Sequence, residues 1–472
     1  MSLPKYPHYK PSGVQWLGDV PAHWEITSLG RLAKERCDGP FGSGLTSDHY
    51  SEEGATVVRL QNIKAGSFHH GDPAYVALDY FLQELQRHSV VPGDLLVAGL
   101  GDDNNLLGRA CVAPENLGPA LVKADCFRFR IDSDLAYPRF VAFQLSAGAA
   151  FDAGMMSSGT TRSRIPLGVM STRKVANPSM DEQISIVEFL DHETAKIDAL
   201  IAEQEKLIHL LAEKRQATLS HAVTRGLDPA APMKDSGVAW LGEVPAHWSV
   251  CSLRRVIAAI EQGWSPECHA REAEAGEWGV LKAGCLNGGV FRPTENKALP
   301  PELTPDTAYE VRVGDVLMSR ASGSPELVGS TALVKETRPG LMLSDKIFRL
   351  RLRAVMTSRY FVTALNSRAL RTQIENALSG GNGMANNLPQ SNLLTFSIPV
   401  PTMAEQEEIS DFVENETARL DALRAEAERA IALLKERRAA LIAAAVTGQI
   451  DVRQNSEILN GGEARDAVAA LS

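Results

Sequence analysis

The chain has 472 residues, 44% of them hydrophobic and 22% charged, and a net charge of −10; this is the composition of a globular protein too long for one core. Apolar runs fall short of the roughly 18 residues a membrane span needs, and the start MSLPKYPHYK has no apolar signal-peptide core. The six cysteines are scattered without a C-x-x-C pair, so a cytoplasmic protein with free thiols, no zinc site and no disulfide framework is expected.

The first distinctive phrase is SGVQWLGDVPAHWEI, from Ser12. Strand-like stretches follow at Ala55–Leu60, Asp94–Gly99, Arg109–Pro114 and Cys126–Ile131, each ended by Gly, Pro or Asp. A helical pattern covers Tyr137–Met155, and a polar loop follows at Ser157–Pro166. Between Pro178 and Gly226 lies a long helix, with Ile186, Leu190, Ile197, Leu200, Leu207, Leu211 and Ala222 on one stripe.

The chain then starts again. SGVAWLGEVPAHWSV begins at Ser236, and over Ser12–Leu29 and Ser236–Leu253 thirteen of eighteen positions are identical. A second helical pattern, Ser358–Leu378, precedes the polar loop Ser379–Pro389. A second long helix carries Ile409, Phe412, Leu420, Leu423, Ile431, Leu434, Leu441 and Ala445. Glu182–Asp228 and Glu405–Asp451 share 23 of 47 positions. Between these anchors the register persists: VPGDLL at Val91 answers RVGDVL at Arg312, Gly108 answers Gly329, and DCFRFR at Asp125 answers DKIFRLR at Asp345.

The architecture is therefore two copies of one unit, with a shared framework and divergent middles. Short-stranded α/β blocks alternate with helices of about 65 Å, which are too long for one core and pack most simply on each other as a coiled-coil pair. The helix that ends at Asp451 is expected to finish beside the first phrase, as the one that ends at Asp228 leads into the second. Trp16, Trp24, Trp240 and Trp248 recur at fixed places, which points to core packing. Residues 1–180 and 226–403 are each within one charge of neutral, whereas 181–225 and 404–450 each carry −4. A neutral block can still show a basic face to phosphates.

Catalytic signatures are missing. There is no phosphate loop and no H-E-x-x-H. GDPAY at Gly71 departs from the Asp/Asn-Pro-Pro-aromatic motif of adenine methyltransferases at Ala74. AGLGDD at Ala98 lacks the strand–helix context of a nucleotide site, and His69-His70 and Cys268-His269 have no further ligands at metal spacing.

The phrase SGVxWLGxVPAHW, the GPFGS stretch (Gly39–Ser43), the P-x-x-x-EQ helix starts (Pro178–Gln183, Pro401–Gln406) and the AVTRGLDP and AVTGQID helix exits resemble the specificity subunit of type I restriction-modification systems, from about Tyr9 to Asp451. The resemblance implies target-recognition domains at 1–180 and 226–403, conserved helices at 181–225 and 404–450, and a tail at 451–472 expected to be flexible. Each recognition domain would read half of a bipartite site in double-stranded DNA, and the two long helices, an antiparallel coiled-coil pair, would fix the gap. Two modification subunits would bring S-adenosylmethionine, and restriction subunits would bring ATP and Mg. This chain would hold no catalytic residue and no cofactor of its own.

Arg and Lys suit guanine edges and phosphates, and Asn and Gln suit adenine edges. The expected contacts are Ser43, Arg59, Gln61, Asn62, Arg162 and Arg164 in the first domain. In the second they are Lys282, Arg320, Asn382, Asn386 and Asn387. A coiled-coil scaffold that never touches bases is the rival from another class, and a stand-alone nuclease or methyltransferase is the weaker one.

Overall fold

A computed structural model describes residues 4–102, 105–149, 151, 163–378 and 386–453, without the side chains of Ser43 and Ser163. They divide into two compact units, Met1–Glu203 with Ala430–Ser472, and Gln204–Arg429. The tail beyond Arg453 lies outside the described residues, as do Arg162, Asn382 and most of the two polar loops.

The first unit contains β1 (Ala33–Cys37), β2 (Ala55–Val58), β3 (Leu95–Ala98), β4 (Leu100–Gly101), β5 (Ala110–Val112), β6 (Ala120–Val122), β7 (Cys126–Ile131), α1 (Pro138–Ala147), β8 (Ser163–Arg164) and the start of α2 (Met180–Arg225). An antiparallel sheet runs in the order β5-β3-β7-β1. A second sheet holds the parallel pair β2·β6, and β4·β8 form a two-stranded ribbon.

The continuous apolar run of β3 reflects burial on both faces. Leu95 and Val97 pack with Phe127, Phe129 and the α1 residues Val141 and Leu145, while Leu96 and Ala98 turn the other way, toward Val58, Ile63 and Val122. This is the period-2 alternation of a strand held between two layers.

The second unit repeats the plan with β9 (Ile257–Gln262), β10 (Gly279–Leu281), β11 (Val316–Ser319), β12 (Ala321–Ser322), β13 (Thr331–Leu333), β14 (Leu341–Met342), β15 (Ile347–Leu352), α3 (Ser358–Asn366), α4 (Arg368–Leu378), β16 (Asn386–Asn387) and the start of α5 (Met403–Val446). Its sheet runs β9-β15-β11-β13, β10·β14 is the parallel pair and β12·β16 the ribbon. The single helical pattern expected over Ser358–Leu378 is two helices. Ser367 adopts an extended conformation (φ −71°, ψ 149°) and its hydroxyl donates to the Ala364 carbonyl, which ends α3. At the matching place in the first unit, α1 stops at Gly148. A Cβ there would lie 2.7 Å from the Trp16 ring.

The recurring F-R-x-R segments are explained by charge pairing inside each unit. Arg128 and Arg130 both meet Glu35, at 3.0 and 2.8 Å, and Arg130 also meets Asp94 at 3.0 Å. Arg349 and Arg351 repeat this with Glu261 and Asp315. The two guanidinium groups hold the Glu35 carboxyl below its ordinary range. The acid has moved by two positions along the edge strand between copies, which keeps it on the same face. These four arginines are committed to the frame.

The repeated phrase anchors the long helices. Trp24 Nε1 donates to Glu182 at 3.0 Å and His23 lies 2.9 Å from the same carboxylate; Trp248 and His247 hold Glu405 at 2.9 and 2.7 Å. The next residue completes the clamp: Gln183 accepts from Tyr137 N, and Gln406 accepts from Thr357 N. For Glu405, burial disfavours the charge, but hydrogen bonds from Trp248, His247 and Thr402 outweigh it and hold the carboxyl at about 2.

The helix ends converge on the same phrase. A Cβ on Gly226 would meet the Trp248 ring at 3.1 Å, and one on Gly448 would meet Pro21 at 2.3 Å and Trp24 at 3.1 Å. The helix ending near Asp451 does finish beside the first phrase, where Tyr9 donates to the Gly448 carbonyl at 3.0 Å.

Within the first unit Arg438 pairs with Asp198 at 2.8 Å, and within the second Arg215 pairs with Asp421 at 2.8 Å. Each bridge is the image of the other under the repeat. The expected stripes need correction at four positions. Leu200, Leu207, Phe412 and Leu423 are exposed, whereas Val187, Phe189, Leu219, Val413 and Ala427 are buried. Periodicity gives the existence of a buried face but not its width, and here the buried positions are fewer than the stripe suggests. All six cysteines are free thiols. Among the described residues no helix is long and apolar enough to cross a membrane.

Candidate nucleic-acid interface

In each unit the loop between the parallel strand and the F-R-x-R strand joins the two sheets. In the first unit it is Lys123–Asp125. Lys123 N donates to the Val58 carbonyl at the end of β2, and Gly99 N, just before β4, donates to the Asp125 carbonyl. The turn after β2 and the β4·β8 ribbon therefore flank one loop, and between them they carry Arg59, Gln61, Asn62 and Arg164.

Arg109, which is buried, reinforces the arrangement by donating to the carbonyls of Leu60 and Ile63 in the turn and of Leu100 in the ribbon, at 2.8, 2.7 and 3.3 Å. Desolvation lowers its pKa, but an arginine stays charged, so the cation is held permanently under the surface. Nothing in the sequence singles out Arg109, because a buried arginine inside a strand reads as an ordinary solvated one.

Arg164 projects from β8, half exposed. Its Nε donates to Asp125 at 2.6 Å, and its guanidinium lies 5.2 Å from the Phe41 ring centroid. Asp125 sits in the left-handed region (φ 64°), a conformation costly for a non-glycine residue. It is held there by its own N–H donating to Asp38 at 2.9 Å. Asp38 also accepts from Gly39 N, yet burial dominates and pushes its carboxyl up to about 6. Lys123 reaches over the Tyr50 ring, 5.6 Å from its centroid.

Arg59 is half-buried and donates to the Asp72 carbonyl, and Gln61 is exposed. Asn62 is corrected: it is buried, its oxygen accepts from Arg59 N at 2.8 Å and its amide donates to the carbonyls of His69 and His70. With both amide hydrogens donated to these carbonyls and the side chain buried, Asn62 holds the turn. Ser43 lies in the 3-10 turn Gly42–Gly44.

The second unit places its expected residues at matching points of the frame. By strand register Lys282 occupies the position of Arg59, Asn387 that of Arg164 and Asn386 that of Ser163. Arg320 takes the place of Gly99, with its N–H donating to the Lys346 carbonyl, a side-chain bond to Asp345 O at 3.3 Å and its guanidinium over Phe348. Lys282 is 3.6 Å from Glu295, and Asn386 donates to Gly323 O at 3.4 Å. The exposed face around the loop also presents Lys346, which is salt-bridged to Asp345 at 2.8 Å.

Sequence reasoning did not single out Asp38, Phe41, Lys123, Asp125 and Lys346, which the structure brings beside the expected contacts. For Phe41 a signal existed, since it lies inside GPFGS. Chemically, both faces combine cations, amides and short carboxylate pairings in shallow, half-exposed settings. Such groups can exchange internal partners for phosphates and base edges, and they form no constellation for bond-making.

No family model matches the chain. A 189-residue stretch, 40% of this chain and 31% of the other, is 34% identical to the EcoEI specificity subunit of a type I restriction enzyme from Escherichia coli. The EcoKI specificity subunit from Escherichia coli strain K12 is 22% identical over 462 residues, covering 96% of this chain and 95% of that one. The StySPI specificity subunit from Salmonella potsdam is 22% identical over 460 residues, again at 96% and 95%. In fold, a chain solved in a study of assembly and conformational transition of a type I R-M system superposes with a TM-score of 0.65 at 15% identity, covering 90% of this chain and 98% of that chain. The HsdS subunit from Thermoanaerobacter tengcongensis gives 0.50 at 16% identity, covering 91% and 98%. Over nearly its whole length the chain is similar, in sequence and in fold, to the specificity subunits of type I restriction enzymes.

Proposed function

We propose that the chain is the DNA sequence-specificity subunit of a type I restriction-modification complex. One observation carries the reading: a single frame is built twice and presents different residues at matching points, Arg59 against Lys282, Arg164 against Asn387, and Arg320 where the first unit has Gly99. Two readers of different sequence on one scaffold suit a bipartite, asymmetric target in double-stranded DNA. The framework is shared because it holds, and the loops differ because they read.

The long helices set the spacer between half-sites and dock two modification subunits, which supply S-adenosylmethionine and methylate adenine. Restriction subunits add ATP- and Mg-dependent cleavage. The chain itself carries no catalytic step and acts in the cytoplasm with these partners. The decisive experiment is methylome sequencing of cells in which α2 or α5 has gained one helical turn. The spacer is expected to lengthen with both half-sites unchanged; altered half-sites with an unchanged gap would overturn the spacer role. Co-expression with a methyltransferase partner should yield methylated DNA where the purified chain with S-adenosylmethionine yields none.

A further inference from the structure

Each unit carries an exposed aromatic ring on the same loop, just beyond the edge strand β1 or β9. The loop is fixed by a glycine pressed onto the end of the parallel strand: a Cβ on Gly39 would lie 2.0 Å from the Lys123 carbonyl carbon, and one on Gly263 would lie 2.0 Å from Leu343 O. Nothing larger than glycine fits, so the residues that follow are driven outward. Phe41, two positions on, leaves 50% of its surface in solvent, and Trp264, one position on, leaves 38%. The backbone of Trp264 is tied down by its N–H donating to Leu343 O at 3.2 Å, so its exposure is not that of a loose loop.

These rings stand among the groups assigned to base and phosphate contact. The Arg164 guanidinium lies over Phe41. Beside Trp264, Ser265 donates to Asp345, whose carbonyl accepts from Arg320 and whose neighbour is Lys346. Exposed aromatic area is unfavourable in water. A π-face flanked by cations is complementary to a nucleobase face flanked by phosphates. A protein partner would suit the rings without the cations, and phosphate alone would suit the cations without the rings.

Resting on the DNA-reading function above, we propose that Phe41 and Trp264 are stacking wedges, each inserted between adjacent base pairs in the half-site its unit reads. Two units that diverge at almost every reading position both keep an aromatic here, because every base has a π-face and a wedge needs no particular sequence. Opening a base step loosens the neighbouring base, and a base must leave the stack before its ring nitrogen or exocyclic amine can be modified.

The test uses the full chain and duplexes carrying the sequence whose methylation depends on it, with 2-aminopurine placed at each position in turn. The native chain should raise fluorescence at one step in each half-site. Phe41→Ala should remove the signal from one half only and weaken binding about tenfold or more, and Trp264→Ala should do the same in the other half. An abasic site at the opened step should restore binding to the alanine variants. Phe41→Gln, which keeps an exposed polar chain, guards against a folding defect and should behave like Phe41→Ala. Alanine variants that bind and brighten as the native chain does would overturn the wedges and leave the DNA reading intact. A native chain that binds these duplexes no better than scrambled ones would remove the DNA reading itself.

Discussion

Arg164 and Asn62 are both polar residues beside the loop Lys123–Asp125, and they differ in what they can do. Arg164 is half exposed, and the carboxylate that holds it, Asp125, is partly open to solvent beside it. Exchanging that partner for a guanine edge costs little, so Arg164→Ala should lose about 1–3 kcal/mol of site affinity and relax one base position. Asn62 is buried with its amide fully engaged. Asn62→Ala should instead cost about 1–3 kcal/mol of stability and leave the methylated sequence unchanged; a relaxed sequence would return Asn62 to the reading face. Asp38 gives a pH signature at the same loop. Its folded carboxyl is pushed up to about 6, above its value in the unfolded chain. The folded state therefore holds the extra proton, and stability is highest below the unfolded pKa and falls as pH rises through about 6. Asp38→Asn keeps an oxygen to accept from Gly39 and Asp125, so it should raise the melting temperature at pH 7.5 and lose that advantage near pH 4. An unchanged difference across that range would show that the buried charge is not the cause.

Among the elements, those that recur were the most legible. The phrase around Trp24 and the Glu-Gln helix starts stand out in the sequence because one clamp is built twice, and Glu182, Gln183, Glu405 and Gln406 each have a bond to make. The helix stripes were legible in existence and wrong in part, since periodicity alone cannot tell a two-helix seam from a broader core, and Leu200 and Phe412 fall outside it. The candidate face was the least legible. Arg59, Arg109, Arg128 and Arg164 are identical letters in the sequence, and only packing sorts a turn brace, a buried tie, a sheet ion pair and a half-exposed cation. The helix exits offer a sharper test of the frame. Gly448 has φ +72° and no room for a side chain against Pro21, so Gly448→Ala pays both backbone strain and overlap. It should destabilise by roughly 1–3 kcal/mol. By contrast, Arg438→Ala, which removes the exposed bridge to Asp198, should cost no more than about 1 kcal/mol. Thermal melts of the two variants should separate clearly, and equal losses would mean the exit packing is softer than the geometry states.

At the scale of the whole molecule, the two junctions between a helix end and a phrase are built alike although only one is continuous in sequence. In the second unit α2 runs through Asp228–Pro232 into a short strand, Met233–Asp235, paired with Glu243–Pro245 just before Trp248. In the first unit the same pairing joins Tyr9–Pro11 to Asp19–Pro21, and Ala22 N donates to His8 O as Ala246 N donates to Pro232 O. There the helix end comes from α5, and Asp451 N donates to the Pro4 carbonyl at 2.8 Å. If the two junctions are equivalent, covalent continuity can be moved from one to the other. A permuted chain that begins at Ala231, ends at Asp228 and joins Arg453 to Pro4 by a short flexible linker keeps every clamp described above. The cut falls in an exposed segment without strand or helix, where such changes are best tolerated. The permutant should be soluble, melt within a few degrees of the native chain and direct methylation to the same two half-sites with the same gap. Methylome sequencing decides it: loss of one half-site with the other retained would show that continuity through Asp228–Pro232, and not the Trp–Glu clamp with its glycine exit, positions the second reader.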